Sequence, residues 1–151
     1  MEDITIRKCT ENDIHFVSSL EKLWVEADIT YGFIPSGGGW FRSHLGPYFL
    51  LAEERGTVVG FIVASKHHVS EDTAIMPAET EYVEIDSIYT APSHRGMGIG
   101  GILLERICEQ ARKDGIRKAQ VYSATKDIHS IIRFYERHGF RSWHIQMFRD
   151  L

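Results

Sequence analysis

The chain has 151 residues, the length of one ordinary domain and too short for two. Hydrophobic residues make up 43% and charged residues 25%, a mixture that closes a core without disulfide staples and excludes a disordered or fibrous chain. Seventeen basic and 21 acidic residues leave a net charge of -4 with the signs interleaved, so there is no basic stripe for a nucleic acid and no run of about 20 apolar residues for a membrane.

The acidic start, Met1-Glu2-Asp3, leads straight into a strand-like segment and lacks the pattern of a leader peptide. Cys9 and Cys108 fall in no CxxC or metal-ligand spacing, which points to reduced thiols and a cytoplasmic setting. A mildly acidic balance favours a cationic partner over an anionic one.

Ile4-Thr5-Ile6-Arg7 alternates as a first strand. Thr10, with Asp13 three residues on, has the form of a capping box, and Phe16, Val17, Leu20, Leu23, Trp24 and Ala27 follow at helical spacing. Residues 29–46 mix Tyr31, Phe33, Trp40 and Phe41 with Pro35-Ser36-Gly37-Gly38-Gly39. That mixture suits a loop or short helix over a pocket and an irregular turn over the core equally well.

Tyr48–Ala52 and Val58–Ala64 read as strands joined through a hairpin turn at Glu54-Arg55-Gly56-Thr57, and Glu81–Thr90 reads as a third. Beyond a cluster of glycines, Ile99, Ile102, Leu103, Ile107 and Ala111 mark one helix face that Gly115 ends, and Gln120-Val121-Tyr122-Ser123 has the look of a buried strand. Asp127 is placed to cap a helix with Ile128, Ile131, Ile132 and Tyr135 on one face and Gly139 as its stop. The tail Phe140–Phe148 is again strand-like. The order strand, two helices, three strands, helix, strand, helix, strand predicts a mixed α/β (α+β) domain over residues 1–151, largely antiparallel at first, with one βαβ crossover.

The glycine cluster Arg95-Gly96-Met97-Gly98-Ile99-Gly100-Gly101 lies between a strand and a helix. Glycine lets the backbone approach a ligand, and the helix N-terminus adds partial positive charge, so phosphate is the natural guest, with Arg95 as a charge-assisted donor. A Walker A loop is excluded because no lysine follows. A dinucleotide fingerprint is formally met by Gly96 to Gly101, but the acid expected at the end of the next strand is missing at Ser123-Ala124-Thr125. The third reading is the pattern Q/R-x-x-G-x-G/A, met by Arg95, Gly98 and Gly100.

A second motif, Phe134-Tyr135-Glu136-Arg137-His138-Gly139-Phe140, stands downstream. The pair in this order, with Ile88-Tyr89-Thr90-Ala91-Pro92 leading into the first, resembles the GNAT (GCN5-related N-acetyltransferase) superfamily over residues 81–140. The resemblance implies a mostly antiparallel central sheet of about six to seven strands flanked by about four helices. It implies transfer of an acetyl group from acetyl-CoA to a primary amine by direct attack in a ternary complex, with no metal.

Residue by residue, the resemblance implies that backbone groups of Ile88 and Thr90, with Tyr89 between them, pair with the pantetheine arm in a gap beside a splayed strand. Amides from Gly96 through Met97, Gly98, Ile99 and Gly100 to Gly101, with Arg95, would hold the pyrophosphate. Tyr135 matches the family's tyrosine near the coenzyme sulfur, as acid or hydrogen-bond donor. Glu84, 11 residues before Arg95, stands where some members carry a basic glutamate, and Asp86 shares its strand face. The base is Glu84, a water it holds, or Asp86. Where many members have asparagine, seven residues before the tyrosine, this chain has Ile128, so Ser130 or backbone takes that contact, with Phe134 beside it.

Eight histidines show no metal-binding spacing; His67 and His68 are adjacent and face opposite sides of a strand. The acceptor stays open between small-molecule and peptide amines. A non-catalytic acyl-CoA-binding or regulatory module of the same fold is the alternative, and a homodimer paired through the tail strand Trp143–Phe148 is compatible with either.

Overall fold

In the computed structural model, which describes residues 3–151, alternating apolar residues draw five segments into one sheet. Met1 and Glu2 of the acidic start lie outside the described residues. The elements in chain order are β1 (Ile4–Lys8), α1 (Ile14–Ala27), α2 (Gly38–Ser43), β2 (Phe49–Glu54), β3 (Thr57–His68), β4 (Glu81–Thr90), α3 (Ile99–Lys113), β5 (Ala119–Val121) and α4 (Ile128–Arg137). The sheet order is β1-β2-β3-β4-β5, antiparallel until the last pair, which is parallel and joined by α3.

The local chemistry follows the sequence closely. Asp13 accepts from both the amide and the hydroxyl of Thr10, and the Arg7 guanidinium grips its carboxylate at 2.8 Å, tying β1 to the start of α1. The β2–β3 hairpin turns on Arg55 and Gly56 at φ 47° and 82°, the left-handed pair of a type I′ turn. Asp127 caps α4 by accepting from the Ser130 amide at 3.2 Å.

Period-two alternation along β3 separates two cores. Val58, Phe61 and Val63 pack with Val17, Leu20 and Phe41 beneath α1 and α2. Val59, Ile62 and Ala64 pack with Leu103, Leu104 and Ile107 beneath α3, where Tyr135 of α4 joins them. On α1 the buried stripe is Ile14, Val17, Leu20 and Glu21, while Phe16 and Leu23 turn outward.

Three expectations change. The described residues form five strands rather than six or seven. The tail carries the alternation of a strand, but it forms no ladder, and Trp143, Ile145, Met147 and Phe148 stay exposed. The segment at Gln120–Ser123 pairs only over Ala119–Val121 and is half-buried, because Tyr122 and Ser123 bend away from β4. Among the described residues, no helix is long and apolar enough to cross a membrane.

Candidate active site

The functional geometry starts with a failure of pairing. β4 meets β5 through Val83, Glu84 and Ile85 and then parts from it, so Asp86–Thr90 face Tyr122–Thr125 across open space. The pocket so formed has a volume of about 380 Å³, with Ile88, Tyr89, Thr90 and Arg95 on one wall, Trp24 and Phe33 on another, and Tyr135 behind. The amide of Ala91 donates to Val59 of β3 at 2.8 Å; alternation from there turns the backbone groups of Thr90 and Ile88 away from β3, into the gap. Apart from the Thr90 carbonyl, which Arg95 engages, they are unmet strand edge, the arrangement that accepts an added extended chain.

At the outer end of this edge the chain turns into α3. Gly96 and Gly98 hold φ 77° and 79°, conformations that strain any residue with a side chain, and nothing lies within 4 Å of where a Cβ would stand. No side chain caps α3, so the first amides of the helix, from Gly98 to Gly101, point outward without partners. Arg95 donates its Nε to the Thr90 carbonyl at 3.2 Å and lies 5.3 Å from the Tyr89 ring centroid, which keeps the guanidinium beside the turn. An open cradle of amides at a helix N-terminus with an adjacent arginine fits a pyrophosphate.

The two carboxylates stand on the face of β4 away from α3. Val83 and Ile85 enter the α3 core, which turns Glu84 to the other side, opposite Ser65 of β3. The ladder then slips: Val63 is opposite Ser87 and Ala64 opposite Ile85, so Asp86 is the extra residue of a bulge. The Ser65 hydroxyl donates to Asp86, placing both acids on one face as expected. Asp86 lines the pocket and Glu84 does not; Glu84 lies 3.4 Å from the Gln120 amide nitrogen and 3.9 Å from His67 Nε2. Among the described residues no group of three or more His, Cys, Asp or Glu is placed to hold a metal ion.

Tyr135 is buried and lines the pocket, and burial alone pushes its phenol up to about 12. The hydroxyl therefore keeps its proton at neutral pH. Ile131 of the same helix also lines the pocket, whereas Ser130 and Phe134 do not. The Ser130 hydroxyl accepts from Arg133 at 3.0 Å, and Phe134 packs against Gly100.

Of the aromatic segment, Trp24 and Phe33 reach the pocket as a stacked pair with centroids 4.5 Å apart, and Trp24 stacks in turn on Tyr89. Phe41 instead belongs to the core beneath α2, with Trp40 against it. Glu21 was not anticipated: it is buried, and its carboxylate accepts from the amides of Ser36 and Gly37, holding the loop that follows Phe33. Its signal was a charged residue on the apolar stripe of α1. A separate depression of about 460 Å³ lies between α3 and Ile116–Ala119, lined by Cys108, Arg112 and Arg117, and it shares no residue with either motif.

A strand edge opened beside a glycine turn, with a buried phenol behind it and the Asp86 carboxylate on its lining, is the arrangement the structure brings together. Residues 14–140 match the acetyltransferase (GNAT) family, and the chain belongs to that family. It is 28% identical over 141 residues to an uncharacterised N-acetyltransferase of Methanocaldococcus jannaschii, spanning 90% of this chain and 60% of the relative. It is 37% identical over 67 residues, 44% of this chain and 43% of the relative, to a glucosamine 6-phosphate N-acetyltransferase of Trypanosoma brucei brucei. The chain thus spans about two to three fifths of the length of these relatives. A predicted acetyltransferase from Clostridium acetobutylicum, solved with acetyl-CoA, shares the fold at TM-score 0.71 and 19% identity, covering 97% of this chain and 96% of that one.

Proposed function

We propose that the protein is an acetyl-CoA-dependent N-acetyltransferase acting on a primary amine. The observation that carries this reading is the parting of β4 from β5 directly before an uncapped, glycine-opened helix N-terminus. Ile88 and Thr90 offer the coenzyme arm an unpaired strand edge, and the amides from Gly96 to Gly101 with Arg95 offer its phosphates a cradle. The coenzyme supplies a thioester whose carbonyl carbon the amine attacks, forming the C–N bond and releasing the thiol.

Glu84, directly or through a water, takes the proton that the ammonium must lose before it is nucleophilic. Tyr135 donates toward the departing sulfur, and its proton is replaced from solvent. A backbone amide on the splayed part of β4 polarises the carbonyl. Holding both reactants in one pocket supplies much of the acceleration. Asp86, with Trp24 and Phe33, receives the acceptor; carboxylate and aromatic faces together favour a cation. The glucosamine 6-phosphate relative supports a small-molecule acceptor.

Calorimetric titration with coenzyme A, followed by mass spectrometry of amines incubated with acetyl-CoA, tests the reading. Binding with a product 42 mass units heavier (about that of one acetyl group) supports it; no binding refutes it. The second reading, a non-catalytic acyl-CoA-binding module, is favoured by Ile128 at the first position of α4, and binding without product on a broad panel would select it. The exposed, alternating tail supports a second copy as partner, to be read by sedimentation.

A further inference from the structure

Gly101 needs an explanation that Gly96 and Gly98 do not. An amide for a phosphate is available from any residue; what glycine alone provides is a missing side chain. At Gly96 and Gly98 that freedom answers to positive φ in open space. Gly100 and Gly101 lie in helical backbone; Gly100 has room for a side-chain carbon, but the space beside Gly101 is filled by the C-terminal end of α4. A Cβ at Gly100 would touch the Phe134 ring at 3.6 Å. One at Gly101 would fall 2.8 Å from both Cε1 and Nε2 of His138, closer than side chains approach.

The partners are ordered as a unit. Phe134 and His138 are four residues apart, with ring centroids separated by 5.1 Å. Glu105, four residues after Gly101 on the same face of α3, lies 2.9 Å from His138 Nδ1 and fixes the ring in the notch. Tyr135 sits between Phe134 and His138 in the chain, 5.0 Å from the Phe134 ring.

We infer that His138, seated in the Gly101 notch and held by Glu105, is a positioning residue that sets Tyr135 at a fixed distance from the α3 N-terminus. This rests on the proposed reading that one coenzyme molecule is held at both places. A ligand that engages two points is sensitive to the distance between them, whereas a fragment that engages one is not. The missing side chain of Gly101 therefore serves the joint between helices, while its amide, which alanine would keep, stays with the phosphate cradle.

The test uses the full chain and three ligands: coenzyme A by calorimetry, and ADP and pantetheine by NMR titration. Gly101→Ala drives a methyl group into the His138 ring; coenzyme A should weaken roughly tenfold while each fragment keeps its affinity within about twofold. His138→Ala makes room for that methyl group, so Gly101→Ala/His138→Ala should bind coenzyme A as His138→Ala does. A general folding defect would weaken ADP as well, and that result, or losses that simply add in the double variant, overturns the joint. Should Gly101→Ala fail to fold, His138→Ala carries the same prediction: a loss of about threefold for coenzyme A and none for the fragments. If the parent chain binds no coenzyme A, the coenzyme reading and the positioning role fall together. The notch is then decided by melting: a loss in Gly101→Ala that His138→Ala does not relieve overturns it.

Discussion

The Ser65 hydroxyl donates to the Asp86 carboxylate where the β3–β4 ladder slips by one residue. The bulge gives Asp86 no backbone partner across the ladder and leaves its side chain on the pocket side, beside Glu84 on the same face. The two acids thus differ in surroundings: Glu84 is partly covered beside Gln120 and His67, and Asp86 is exposed.

That difference predicts a division of effects. Glu84→Gln should lower kcat about a hundredfold and leave coenzyme A binding unchanged, as loss of a general base does. Asp86→Asn should act mainly on the KM of the amine. Steady-state kinetics of both variants decide the assignment, and the reverse pattern would make Asp86 the base.

Tyr135→Phe should lower kcat by roughly ten- to a hundredfold with little change in acetyl-CoA KM. The phenol also leaves a mark on stability. Buried, it keeps its proton up to about 12, while in the unfolded chain it releases it near pH 10, about the free value. Between those values the unfolded chain binds fewer protons, so stability falls as pH rises, and Tyr135→Phe should flatten that slope in urea unfolding.

Asp13 has the opposite sign. The Arg7 guanidinium holds its carboxyl well below the usual carboxylate range, with Thr10 adding two donors. The stabilisation is fully present above about pH 4 and is lost as the pH falls through the folded value. Asp13→Asn should cost about 2–3 kcal/mol at neutral pH and much less in acid, as measured by urea unfolding at the two pH values.

Glu21→Ala removes the acceptor of the Ser36 and Gly37 amides and frees the loop after Phe33. The expected result is a raised KM for the amine, unchanged coenzyme A binding, and a stability loss of about 1–3 kcal/mol. Unchanged amine kinetics would show that this loop does not shape the acceptor side.

Much of this molecule was legible as sequence. The hairpin at Arg55-Gly56, the cap at Asp127 and the stop at Gly139 are set by local backbone chemistry and stand where expected. The family was legible from Arg95, Gly98 and Gly100 with Phe134–Phe140 downstream, and Gly98 holds the positive φ that only glycine takes without strain. What was not legible depends on distant partners. The tail reads as a strand from Phe140 to Phe148, yet a strand exists only with an edge to join. Phe41 fitted a pocket cover and a core cover equally well as sequence, and α2 folds it into the core. The Gly101 notch is invisible until α3 and α4 are packed, since nothing local links Gly101 to His138.

The measurement that bears most directly on the central claim is release of free thiol from acetyl-CoA by the purified chain against a panel of primary amines. The account predicts release that depends on the amine, falls about a hundredfold in Glu84→Gln and yields one acetylated product per thiol. Release no faster than hydrolysis with every amine tested would contradict it.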